Sequence, residues 1–162
     1  MRDEECVRAP CSRVRTVDAG RRTRKHALVG NADSAAAPVR VLIVDDQRPF
    51  HEAAQALIAA TPGFEWIGGA SCGEEAVEWT ERLRPDLVLM DVRMPGIGGI
   101  EAAQQIAARG LPAIVVLVTA GELPGEIPGG TATKIVAKRA LTRRVLTRLW
   151  EDHSQPTADT VT

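Results

Sequence analysis

The chain has 162 residues, about one ordinary domain, and its 20 basic and 21 acidic side chains leave a formal net charge of −1. That balance argues against a protein drawn globally to nucleic acid or to an anionic membrane surface, and no run approaches the ~18 apolar residues of a membrane-spanning helix. Cys6, Cys11 and Cys72 sit in no metal-ligand spacing, and Asp3, Glu4 and Glu5 open a terminus without an apolar stretch; zinc, a disulfide scaffold and a secretory signal are not expected, and a cytoplasmic protein is.

Residues 1–38 hold 8 basic and 5 acidic side chains without sustained periodicity, and Arg21, Arg22, Arg24 and Lys25 form a short basic cluster. This segment reads as a disordered arm, with the cluster a solvated tail in preference to a nucleic-acid contact. Residues 39–150 read as one domain. Residues 151–162 read as a polar tail, too short for a further domain. Aromatic residues make up only 3% of the chain, so the core must be built from Ala, Val, Leu and Ile.

From Val39 the pattern becomes regular. VRVLIV (39–44) is apolar and β-branched, a buried strand. Phe50, Ala53, Ala54, Leu57 and Ile58 then mark one helix face, ended by Thr61-Pro62-Gly63. EWIGGAS (65–71) is a weak second strand. Residues 73–83 are helical, with Ala76, Val77, Thr80 and Leu83 inward. DLVLMDV (86–92) is a third strand, and Pro95, Gly96, Gly98 and Gly99 make a loop. Ile100, Ala103, Ile106 and Ala107 give the next helix face, stopped by Gly110 and Pro112. AIVVLVTA (113–120) is a fourth strand. Six of residues 121–130 are Gly or Pro, so a helix there is expected to be short or broken. TKIVAK (133–138) is a fifth strand. Leu141, Val145, Leu149 and Trp150 mark a last helix face.

Strands that are apolar throughout need cover on both sides, which predicts a parallel sheet between helices. In such sheets ligands sit beyond the carboxyl ends of the strands. Those ends carry Asp45 and Asp46, Asp91, Thr119 and Lys138. Each has a plainer reading by itself: a helix cap for Asp45 or Asp46, a turn residue for Asp91, an ordinary strand hydroxyl for Thr119, a surface cation for Lys138. Together they are hard to read that way. Carboxylates ~4 Å apart repel by roughly 4 kcal/mol per pair at an effective dielectric of 20, so they call for a shared proton or a cation. Oxygen-only ligands favour a hard ion, Mg²⁺. Mg²⁺ recruits phosphate, Lys138 and Thr119 can hold phosphoryl oxygens, and Asp91 is left as a nucleophile that forms an acyl phosphate.

VRVLIVDDQ, PDLVLMDVRMPGIGGIEA, IVVLVTA and IVAK, in this order and spacing, resemble the receiver domain of two-component response regulators over about residues 39–150. The resemblance implies a doubly wound α/β fold, a five-stranded parallel sheet in the order 2-1-3-4-5, here with the helix between the fourth and fifth strands shortened or broken. It implies Asp91 as phosphoacceptor and Asp45 and Asp46 as the Mg²⁺-binding pair, Asp46 directly and Asp45 largely through water. It also implies the backbone carbonyl of Arg93 as a metal ligand, Thr119 as the switch hydroxyl, Lys138 as the phosphate-pairing lysine and Ala120 as the small residue beside the phosphate. The donor would be a sensor histidine kinase or a phosphotransfer protein, and the output an altered contact with a downstream protein. The chain departs from the family at Ile135, where an aromatic residue is common, and at Arg139, where proline is usual. These departures keep a second reading open, a pseudo-receiver that binds partners without phosphorylation, as well as a regulator that has lost a DNA-binding output domain. A phospho-Asp hydrolase would want a second Asp at position 93 as general acid, where Arg93 stands.

Removing residues 1–38 should cost little, because they bring no periodic apolar face to the core. Thermal melting of a chain starting at Val39 tests this. A fall in Tm of more than about 5 °C, roughly 1 kcal/mol for a domain of this size, would show that the arm packs.

Overall fold

The computed structural model describes residues 37–121 and 134–154. The elements run β1 (Val39–Val44), α1 (Arg48–Ala59), β2 (Phe64–Ala70), α2 (Gly73–Leu83), β3 (Leu87–Asp91), α3 (Gly98–Ala108), β4 (Ile114–Thr119), β5 (Lys134–Ala137) and α4 (Arg143–Ser154). The five strands form one parallel sheet in the order β2-β1-β3-β4-β5. The segment expected to carry a broken helix, 121–130, lies outside the described residues from 122 onward.

Alternation along the strands divides the core into two layers. Leu42, Val44, Val88, Met90, Val115 and Leu117 face α2 and α3, where they meet Ala76, Val77, Ala102, Ala103 and Ile106. Val41, Ile43, Leu87, Leu89 and Val116 face the other way, onto Ala54 and Ile58 of α1 and Leu146 and Leu149 of α4. With both sheet faces covered, the central strands are apolar at nearly every position. Each fully buried Leu, Ile or Val contributes about 1.5–3 kcal/mol relative to exposure, so a core poor in aromatics still closes.

The helix faces differ in detail from those the periodicity suggests. Ala53 and Ala107 are exposed, while Ala102 is buried. Helical spacing leaves the edges of an apolar stripe undecided, and the sheet takes a narrower strip. On α4 the fully buried residue is Leu146, and Leu141 precedes the helix. This helix also runs on to Ser154, four residues past the expected domain end at 150; Glu151 and Asp152 occupy its exposed face and do not interrupt it. Strand β5 ends at Ala137, and Lys138 opens a single 3₁₀ turn.

Two glycines are set by close approach of other groups. A Cβ on Gly69 of β2 would lie 2.7 Å from Cε1 of His51, so the ring fits only over a bare backbone. A Cβ on Gly99 would lie 1.9 Å from the carbonyl oxygen of Asp91, and the Gly99 N–H donates to the Val92 carbonyl at 3.1 Å. Gly99 thus lets the loop after β3 fold back tightly against the strand end. Gly99→Ala should force this loop away and lower the unfolding free energy by about 1–3 kcal/mol, as overpacking does. A urea titration of the variant against the parent chain measures it.

Candidate functional site

Strand pairing brings the carboxyl ends of four strands into one row. Val44 is level with Met90, Asp91 with Val118, and Thr119 with Ala137. One step onward, Asp45, Asp91, Thr119 and Lys138 crowd the same edge of the sheet. Asp45, Asp91 and Thr119 are buried, while Asp46 is exposed. Asp45, Asp46 and Asp91 each offer an oxygen within 4.8 Å of the others. All the strand-end residues singled out from sequence are therefore in or beside one cluster. Arg93 stands two residues beyond Asp91, exposed, with its guanidinium over Gly121.

Asp45 divides its labour. Its Oδ1 accepts the Gln47 N–H at 2.8 Å, turning the chain into α1, so the plainer reading of Asp45 as a turn former holds for one oxygen. Its Oδ2 faces the ammonium of Lys138 at 2.5 Å, and Lys138 also lies 3.2 Å from Asp91 Oδ2. Beyond this ion-pair cluster, Asp45 Oδ2 and Lys138 Nζ have no hydrogen-bond partner. Burial pushes the Asp45 carboxyl above its ordinary 3.8, against the opposing pull of Lys138 and the Gln47 N–H, and with a small further rise from Asp91. Thr119 Oγ1 accepts the Gly121 N–H at 3.1 Å.

Sequence reasoning missed two residues of α1. His51 donates Nε2–H to the carbonyls of Asp45 at 2.8 Å and Ala70 at 3.2 Å, tying the loop after β1 to the end of β2. Contact with two carbonyl oxygens requires the proton on Nε2. Phe50 places its ring 4.7 Å from Lys138 Nζ. The helix periodicity showed Phe50 as a core residue; only the fold brings Lys138 over it.

Three carboxylates and one ammonium leave two negative charges uncompensated at full ionisation. A divalent hard cation matches that deficit, since Asp45 Oδ2 has only the Lys138 ammonium, itself shared with Asp91, to balance it. The donor set fits Mg²⁺.

The sequence profile of the response regulator receiver domain matches residues 41–148. The chain belongs to this family. Relatives include the response regulator UvrY of Escherichia coli, 32% identical over 114 residues, covering 68% of this chain and 52% of UvrY. The response regulator GacA of Pseudomonas aeruginosa is 42% identical over 80 residues, covering 49% of this chain and 37% of GacA. The chain thus spans about half the length of the first curated relatives it matches. Among solved structures, the signal receiver domain of the response regulator NarL of Mycobacterium tuberculosis superposes with a TM-score of 0.62 at 28% identity, covering 72% of this chain and 94% of that one. The response regulator domain of Thermotoga maritima CheB gives a TM-score of 0.61 at 28% identity, covering 74% and 99%. Receiver-domain chemistry is a property of this family in general, with Mg²⁺ held by acidic residues. Among the described residues, no helix is long and apolar enough to cross a membrane.

The sign of the pH effect follows from Asp45. A carboxyl raised above its unfolded pKa stabilises the fold fully below about pH 3.8 and loses that contribution as pH rises through the raised value. At neutral pH the ionised group is a cost in the ion-free protein, and a divalent cation offsets it. Mg²⁺ at roughly 10- to 100-fold over its Kd should therefore stabilise the receiver by about 1–3 kcal/mol. The gain should be smaller at about pH 5 than at about pH 7.5, because protons compete more strongly with the cation at the lower pH. Melting curves with and without Mg²⁺ at both pH values check this, and Asp46→Asn should remove most of the increment.

Proposed function

We propose that this chain is a phosphorylatable receiver that takes a phosphoryl group on Asp91 from a phosphohistidine of a sensor kinase or phosphotransfer protein. The carrying observation is the buried Asp91 carboxylate, 3.2 Å from the Lys138 ammonium and within 4.8 Å of the Asp45 and Asp46 oxygens. In the transfer, an Asp91 oxygen attacks phosphorus, the P–N bond of the donor breaks, and the departing imidazole nitrogen keeps the electron pair. Lys138 holds a phosphoryl oxygen by charge, and the Thr119 hydroxyl donates its proton to another. Asp46, Asp91 and the Arg93 backbone carbonyl would hold Mg²⁺, with Asp45 acting largely through water. When bound, the ion neutralises phosphoryl charge as attack proceeds. Ala120, exposed beside Thr119, leaves room for the group. The chain is read as acting catalytically only on its own phosphorylation and dephosphorylation, as a cytoplasmic signalling component whose output is a changed contact with another protein.

A second reading has one observation behind it. Ile135 is half-buried against the layer of core under α2 and α3. An aliphatic side chain there cannot swing an aromatic ring inward as a switch. A receiver in which this lever is lost could bind partners independently of phosphate.

Incubation with acetyl phosphate and Mg²⁺ separates the two. The parent chain should gain one phosphoryl mass, and should gain none when the metal is chelated before acetyl phosphate is added. Asp91→Asn should give no label while melting within a few degrees of the parent. Labelling of the Asn variant at the parental level would overturn the site assignment, and absence of label in the parent would favour the phosphate-independent module.

A further inference from the structure

Lys138 is aimed by its surroundings more than by its own chain. It opens a 3₁₀ turn of three residues, flanked by extended Ala137 and Leu141 and without a side-chain cap. Arg139 follows it, so no ring-locked residue stiffens the backbone there. Its four-carbon stem is flexible. Yet its side chain is only 10% exposed, and its ammonium meets three groups: Asp45 at 2.5 Å, Asp91 at 3.2 Å and the centre of the Phe50 ring at 4.7 Å. Phe50 packs its body against the core layer between the sheet and helices α1 and α4, so the ring is anchored to the fold.

The nearer carboxylate is the one Lys138 is least able to keep. Asp45 Oδ2 has no other polar partner and belongs to the acidic cluster that suits a divalent cation. A cation arriving there draws on that oxygen and repels the ammonium. The Phe50 ring is the partner for which the metal does not compete, since its attraction comes from the negative face of the π system. That attraction is worth most where water is excluded, as it is around Lys138.

We propose that Phe50 is a positioning residue for Lys138, its ring holding the ammonium beside Asp91 while the metal occupies the acidic cluster. The effect on phosphorylation rests on the reading of Asp91 as phosphoacceptor. The contact itself does not.

The test uses the full chain with acetyl phosphate and Mg²⁺. Phe50→Leu keeps an apolar side chain and removes the ring; 3,4,5-trifluorophenylalanine at position 50 keeps the shape and empties the ring face of negative charge. Both should lower the labelling rate roughly 3- to 30-fold, the span between an exposed and a desolvated cation–π contact, with Mg²⁺ affinity measured by calorimetry held within about twofold. Phe50→Tyr, which keeps the ring face, should rescue the rate. In a Lys138→Met background, Phe50→Leu should cost nothing more. Parental labelling rates in the Leu and trifluoro variants would overturn the proposal, as would losses that multiply with Lys138→Met. A second readout needs no phosphate: the ε-methylene protons of Lys138 should resonate upfield under the ring and lose that shift in Phe50→Leu. If the parent takes no label, the Asp91 reading fails and the ring shift decides the clamp: its presence supports the contact, its absence overturns it.

Discussion

The Lys138 ammonium, shared between Asp45 and Asp91, is the interaction around which the rest of the site is arranged. Removing an acid and a base from water is costly, and Coulomb attraction repays it only when the geometry is good. Here the Asp45, Asp91 and Lys138 side chains are 0%, 6% and 10% exposed. One ammonium cannot neutralise two buried carboxylates and the exposed Asp46 beside them. The cluster is left electrostatically unsatisfied, a deficit that a divalent cation would offset. An acidic site that satisfied itself internally would have no such deficit.

The sheet makes this concentration of charge possible. Parallel strands end at the same edge, and the order β2-β1-β3-β4-β5 makes β1 and β3 direct neighbours. Asp45, one step past β1, and Asp91, the last residue of β3, are therefore side by side, although 46 positions separate them. Helices reach this edge with small residues and bare backbone. Gly99 admits the loop after β3 against the Asp91 carbonyl. Gly69 admits the His51 ring, which bonds the Asp45 carbonyl to the end of β2. The backbone beneath the reactive groups is thus held by contacts that do not consume their side chains.

The first turn of α1 has a larger part than its apolar pattern suggests. Phe50 belongs to the core by its packing and to the site by its ring face. His51 belongs to neither by residue type alone, since a lone histidine near a helix start has many uses.

The fold class and the strand-end residues were legible in the sequence because both follow from local rules. Unbroken apolar strands demand cover on two faces, and a parallel sheet presents strand ends at one edge. That reasoning brought Asp45, Asp46, Asp91, Thr119 and Lys138 together, and the fold places them at a single edge. It did not reach the limits of the last helix, because the charged residues 151 and 152 carry no apolar signal and the turn from Leu149 onward is held by packing. Nor did it distinguish Ala53, which faces water, from Ala54, which faces the sheet. Contacts between elements distant in sequence were decided by tertiary structure alone: Phe50 under Lys138, His51 between two carbonyls, and the division of Asp45 between a turn and an ammonium. Periodicity reports which face of an element is buried, but not what lies opposite it, and the partner of each of these groups is set by the crossing of helix and sheet.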